Sequence, residues 1–224
     1  MNNRLRNSIV GILGPQAATR RAVESVMGLK FEQLCSVLEE MAGEYRELLD
    51  GDVVVSFERR AKHVGVLTVD SDVLVFVQLT DVFQFDRDHE AVKSEYVQGD
   101  LSRAFVGTVH VYDFLSDSFK YDRDEDGGFL VARVFVNGES AFFVEGKRQR
   151  NMGVSQYGKQ VLGREQWRRI AETALKYAVE ENPLVPPYEM VMQTDLATMK
   201  GYIMTSRIKT AKRMGFGFRA DDVK

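Results

Sequence analysis

The Asn137-Gly138 pair, set between two runs of β-branched and aromatic residues, constrains this chain more than any other stretch. The dipeptide supplies the positive φ values of a tight reverse turn and is the strongest short-range signal for a β-hairpin. Before it runs FLVARVFV from Phe129, and after it AFFVEGK from Ala141. A third run, AFVGTVHVYDFL from Ala104, comes earlier, so 104–115, 128–136 and 140–147 read as three consecutive strands. Such side chains suit a pleated, half-buried surface. Alternation along a strand puts Phe105, Val109 and Val111 on one face and Val106, His110, Tyr112 and Phe114 on the other. Neither face is polar throughout, so this strand is expected to be covered on both sides.

Further strands precede this meander: VVVSFERR from Val53, VGVLTV from Val64 and VLVFVQL from Val73. Asp70-Ser71-Asp72 reads as the turn between the last two, because short polar side chains bond their own backbone there. The run from Val73 is apolar on both faces and is expected to be central. Residues 81–103 turn polar and acidic and read as a partly helical connection, of a length that is often functional.

Helices flank the strands. Gly14-Pro15 reads as a helix start, since proline is tolerated where its missing N–H has no partner to lose. The expected helix, 15–27, places Ala18, Ala22, Val23, Val26 and Met27 together. A second begins at Phe31 and carries Leu34, Cys35, Leu38, Met41, Ala42, Tyr45 and Leu48 in one stripe. Asp50-Gly51-Asp52 ends it. Near the other terminus a helix over 164–179 buries Trp167, Ile170, Ala171, Ala174, Leu175 and Ala178, and the prolines at 183, 186 and 187 stop it. A last helix is expected from Thr194 or Asp195, either a good N-cap, with Arg207, Lys209, Lys212 and Arg213 crowding its final turns.

These elements predict an α+β fold: an antiparallel sheet of about five to six strands with helices at both chain ends. The expected segments are 1–50, helical and packed on the sheet, 51–150, the sheet itself, and 151–224, helical with a basic tail. The element order is similar to that of PAS-like and profilin-like sheets, a likeness that carries no function. The single cysteine, Cys35, excludes an intrachain disulfide and fits a reducing compartment. The apolar piece Ile9 to Leu13 is too short for a secretory core, and no run reaches the length of a membrane span. A soluble, cytoplasmic protein without membrane partners is the expectation.

Candidate sites are few. Asp122, Asp124, Asp126 and Gly127 match the first half of a calcium loop, where alternate carboxylates converge on a hard cation. The twelfth position is Arg133 rather than a glutamate, and a strand follows, so the stretch reads as a solvated acidic turn. Asp86, Asp88, His89 and Glu90, with His63 and His110, hold ligand chemistry but no metal-binding spacing. His110 reads as a hydrogen-bonded core histidine and Cys35 as a small core residue. Nucleophile-elbow and phosphate-loop motifs are missing; catalytic, cofactor and metal residues are therefore assigned to none.

Charge is unevenly spread within a net of −3: residues 51–100 carry ten acidic and five basic side chains, and 201–224 six basic and two acidic. Lys147, Arg148 and Arg150 follow the last strand of the meander. Arg207, Lys209, Lys212, Arg213 and Arg219 alternate with apolar residues and with Phe216 and Phe218. Such a set suits an acidic protein surface, including the 51–100 region of a neighbouring copy, or a nucleic-acid backbone and its stacked bases. Phe83, Phe85 and Tyr96, with the aromatic meander, leave room for a small-ligand cavity between sheet and cover. The function expected first is that of a non-catalytic interaction or assembly protein, with a protein partner or a homo-oligomer. Two alternatives are an RNA- or DNA-contacting protein using 147–150 and 207–219, and a ligand sensor or enzyme with a pocket against the sheet.

Overall fold

Strands that follow one another in the chain also lie side by side. The computed structural model describes residues 2–49, 51–124, 126–147, 152 and 157–181, and beyond these 188, 192, 193, 195, 196, 199 and 200. Its strands are β1 (Val55–Ala61), β2 (Val64–Val69), β3 (Asp72–Gln78), β4 (Phe83–Gln84), β5 (Phe105–Leu115), β6 (Phe129–Asn137) and β7 (Phe142–Gly146). The sheet order is β1-β2-β3-β5-β6-β7, antiparallel throughout, with two-residue β4 paired to the start of β5. The fold class is α+β. Its sheet is a sequential antiparallel meander. Strand starts fall within two residues of the sequence pattern, and the doubly apolar β3 is interior, between β2 and β5.

The hairpin at 137–138 is present, but its turn is not the two-residue type that the dipeptide predicts. Asn137 N–H donates to the Ala141 carbonyl and Ser140 N–H to the Asn137 carbonyl, both at 3.0 Å. Positive φ falls on Ser140 (64°), not on Gly138. This is a three-residue loop, a type I turn closed by a left-handed residue. Asparagine favours it from the first turn position: the buried Asn137 Oδ1 accepts from the N–H groups of both Glu139 and Ala141.

Two helices cover one face of the sheet, α1 (Asn2–Leu48) and α5 (Arg164–Glu180). The expected pair of N-terminal helices is a single helix of 47 residues, with Pro15 inside it. Between 27 and 31 only Gly28 weakens the helix, whereas Val23, Met27, Phe31, Leu34, Leu38 and Met41 form one unbroken buried stripe. Packing of that stripe outweighs a glycine's cost of about 1 kcal/mol. Pro15 lacks the N–H that would bond Gly11, yet both residues are exposed, which leaves the freed carbonyl open to solvent.

The α1 stripe, β1, β2, β3, β5, β6, β7 and the buried face of α5, Trp167 through Ala178, share one core. Gly107 of β5 passes so close beneath α1 that a Cβ there would lie 2.3 Å from Met27 Cγ. Arg59 clasps Glu32 through two hydrogen bonds of 2.5 and 2.6 Å, and Arg164 and Arg168 of α5 reach Glu40 and Glu44.

The opposite face is covered by the 81–104 connection, which folds as α2 (Glu90–Lys93), α3 (Glu95–Gly99) and a 3-10 turn (Leu101–Ala104), and by α4 (Ser116–Lys120). Val106, Phe135 and Ala141 pack there with Ala91, Val97 and Tyr157; Val66, Val73 and Val75 pack with Tyr112, Phe114 and Phe119. Cover on both sides of β5 is thus present, as its sequence requires. In urea unfolding, Met27→Ala is expected to lose about 2–5 kcal/mol through lost burial and cavity formation. Gly107→Ala is expected to lose about 1–3 kcal/mol by overpacking, while Ile9→Ala changes stability by less than about 0.5 kcal/mol.

Candidate functional site

Leu5, Ile9 and Leu13 precede Val23, Met27 and Phe31 by eighteen residues each, five full turns at 3.6 residues per turn. The two trios therefore share one side of α1. Val23, Met27 and Phe31 are at most 2% exposed, whereas Leu5, Ile9 and Leu13 are 66%, 47% and 58% exposed. Every residue from 3 to 16 is exposed. The helix enters the body where Gly138 of the hairpin turn lies against Ala22 and Val23. N-terminal to that point about 30 Å of helix projects, at 1.5 Å per residue. Its apolar stripe, with Ile12 and Val10 beside it, has no covering partner among the described residues. Arg4, Arg6, Arg20 and Arg21 are its charged residues, and no aspartate or glutamate precedes Glu24.

A second group lies on the sheet face away from α1. Register aligns His110, Arg133 and Glu145 across β5, β6 and β7. Arg133 hydrogen-bonds Glu145 Oε2, and His89 Nε2 meets Glu145 Oε1 at 3.1 Å. His89 Nδ1 accepts the Ala91 N–H at 3.1 Å, capping α2, so the ring proton sits on Nε2 and is donated to the carboxylate. Phe85 stacks on the imidazole with ring centres 4.4 Å apart. Both His89 nitrogens are thus committed, and neither is left to activate a nucleophile or bind a metal. His110 Nδ1 bonds the Tyr112 hydroxyl at 3.1 Å. Burial first, and then the Arg133 charge, push its pKa below the ordinary histidine value.

Beside this group, α2, α3 and β7 border a cleft of about 590 Å³, with Tyr96, Phe143 and Tyr157 on its walls and Glu90, Glu95 and Lys159 at its rim. Much of the aromatic surface is already engaged. Arg103 lies over the Tyr96 ring at 4.4 Å, and Tyr157 donates from its hydroxyl to the Arg103 carbonyl at 2.8 Å. Burial raises the Tyr157 pKa, so the hydroxyl stays a donor.

The residues singled out from sequence separate in space. Lys147 stands just past β7, its Nζ 5.8 Å from the centre of the Phe129 ring. Arg148, Arg150, Arg207, Lys209, Lys212, Arg213, Phe216, Phe218 and Arg219 lie outside the described residues. Of the expected last helix, a Met199 N–H to Asp195 carbonyl bond of 3.1 Å is described. In the 122–128 turn, Asp126 points inward, accepting from Ser118 Oγ at 2.7 Å with Arg123 3.9 Å away. A cation of the turn itself thus stands beside this carboxylate and beside Asp117. The 86–90 cluster also disperses: Asp86 Oδ1 caps the Asp88 N–H, and His89 turns to Glu145. Among the described residues no group of His, Cys, Asp and Glu is arranged to hold a metal ion. Cys35 is buried against the sheet, and its thiol pKa is raised by that burial. Among those residues no helix is long and apolar enough to cross a membrane.

Sequence reading missed the projecting half of α1, although the signal was there in the eighteen-residue echo of the core trio. Placing a helix start at Pro15 hid it. Compared with known proteins, the chain matches no protein-family model, no curated protein and no solved structure.

His110 makes a pH prediction. Its folded pKa lies below the unfolded reference of 6.5, so the unfolded chain binds the proton more readily. The stabilisation from a neutral His110 is complete above pH 6.5 and is lost as pH falls through the lower folded value. Unfolding free energies measured against pH should show this acid-side loss in the native protein and a shallower one in His110→Phe.

Proposed function

We propose that this protein is a non-catalytic interaction and assembly protein whose contact element is the projecting half of α1. The observation that carries the reading is the exposed Leu5-Ile9-Leu13 stripe, which repeats the core-facing trio where no described residue covers it. An isolated helix of this length is marginal in water, and Gly11, Gly14 and the internal Pro15 weaken it further. Burial offsets that: covering each leucine or isoleucine contributes roughly 1.5–3 kcal/mol. The body-bound half of α1, held by core packing and by the Arg59, Arg164 and Arg168 pairs, fixes the direction in which the contact half is presented.

The site chemistry agrees with a binding role. His89 and Glu145 tie the 81–104 connection to β7, and their polar atoms are used in doing so. The nucleic-acid reading rests on Lys147 and on residues outside the described set, and no geometric observation favours it over protein docking.

Native mass spectrometry of the full-length protein, gently purified from its own cell, tests the proposal. The wild type is expected at a mass above the 25.4 kDa of one chain. Leu5→Asp/Ile9→Asp/Leu13→Asp is expected at 25.4 kDa and to unfold as the dissociated wild-type chain does, since all three side chains lie outside the core of the single chain. A wild-type protein found only as the single chain would remove the reading.

A further inference from the structure

Resting on the reading of α1 as a docking element, we infer that its partner is a second copy of this chain, which receives the projecting helix on the acidic 81–103 connection.

The argument begins with charge. Residues 2–23 carry four arginines and no carboxylate, whereas 81–103 carry six carboxylates against three cations. All six carboxylate residues are exposed, and Arg103 is already bonded to Glu139. The receiving surface also offers apolar contact, since Leu101 is 64% and Phe83 41% exposed. A basic helix with an apolar stripe thus meets an acidic surface with apolar points, the complementarity that steers and registers two partners.

Position adds a second argument. Tyr96 of α3 donates to Glu139 Oε2 at 2.7 Å and accepts from Asn137 Nδ2 at 2.9 Å, which pins the connection to the hairpin turn. Gly138 of the same turn lies against Ala22. Donor helix and receiving surface therefore flank one turn, the helix on one face of the sheet and the connection on the other. Because α1 is continuous and projects about 30 Å beyond the turn, it cannot fold back onto its own connection. A two-fold axis beside the turn lays each helix along the other copy's connection, so that the contact is made twice by one self-complementary surface. Each copy contributes a helix stripe ~30 Å by ~10 Å and a matching patch, which approaches the ~800 Å² per partner of a standard interface.

Direct pairing of the two helices is the competing geometry. An antiparallel pair centred on Ile9 sets Arg4 opposite Gly14 and Arg6 opposite Ile12 and brings no carboxylate to the arginines, whereas the 81–103 connection supplies six.

The test uses the full chain alone. Light-scattering sizing of purified protein is expected to give twice 25.4 kDa at low salt and a shift toward the single chain at high salt. Asp81→Arg/Asp88→Arg/Glu95→Arg is expected to raise the dissociation constant about tenfold or more. Mixing that variant with Arg4→Glu/Arg6→Glu/Arg20→Glu/Arg21→Glu is expected to restore a mixed dimer. Under mild oxidation, Ile9→Cys mixed with Leu101→Cys is expected to form a disulfide between the two variants, while the buried native Cys35 stays out of the reaction. Purified protein that is a single chain at every concentration, while protein from the cell is heavier, overturns the second copy and leaves the docking reading standing. A dimer indifferent to the acidic substitutions, or Ile9→Cys linking only to itself, overturns the helix-on-connection geometry. Protein from the cell found as a single chain overturns both.

Discussion

Packing of the α1 stripe onto the sheet is the contact on which the rest of this structure depends. Val23, Met27, Phe31, Leu34, Leu38 and Met41 belong to the face of α1 that packs over β1, β2, β5 and β6, and α5 closes the same layer. Gly107 is the point of closest approach, where the missing side chain lets Met27 settle against the strand. The stripe accounts for the helix as well as for the core. Forty-seven residues including an internal proline form one rod because the body-bound half is held by burial, and helix propagation costs far less than starting a new one.

The other side of the sheet is organised differently. There a polar row, His110, Arg133 and Glu145, runs between two apolar patches and reaches through Glu145 to His89 on the covering connection. Each member has a specific partner, so the row orders its neighbours without leaving buried charge uncompensated. This face therefore holds the connection in place. Its carboxylates consequently stand at a defined position beside the turn where α1 leaves the body.

Much of the fold was legible in the chain, for local reasons. Alternation in β5 and β6, the Asp70 turn and the Trp167-Ile170-Ala174 face of α5 all follow from side-chain period and backbone preference. Misreadings had equally local causes. Asn137-Gly138 marked a hairpin correctly, but the asparagine side chain could bond two backbone N–H groups at once, which moved positive φ to Ser140. Gly14-Pro15 looked like a start because an internal proline is costly, and the cost is lowered where water reaches the orphaned carbonyl. The Asp122-Asp124-Asp126 spacing read as a solvated acidic turn, and the departure is Asp126, which turns inward to Ser118 and Arg123.

Residue chemistry alone determined the element types, the antiparallel meander and the burial of Cys35, since these rest on period, propensity and hydrophobicity within short windows. Only the assembled fold decided which half of a uniform stripe is core and which half is surface. Leu5 and Val23 are chemically alike and share one helix side, and they differ because the sheet ends at the hairpin turn beside Ala22. Burial depends on what lies opposite a residue, and that is set by distant strands which no local pattern in α1 can encode.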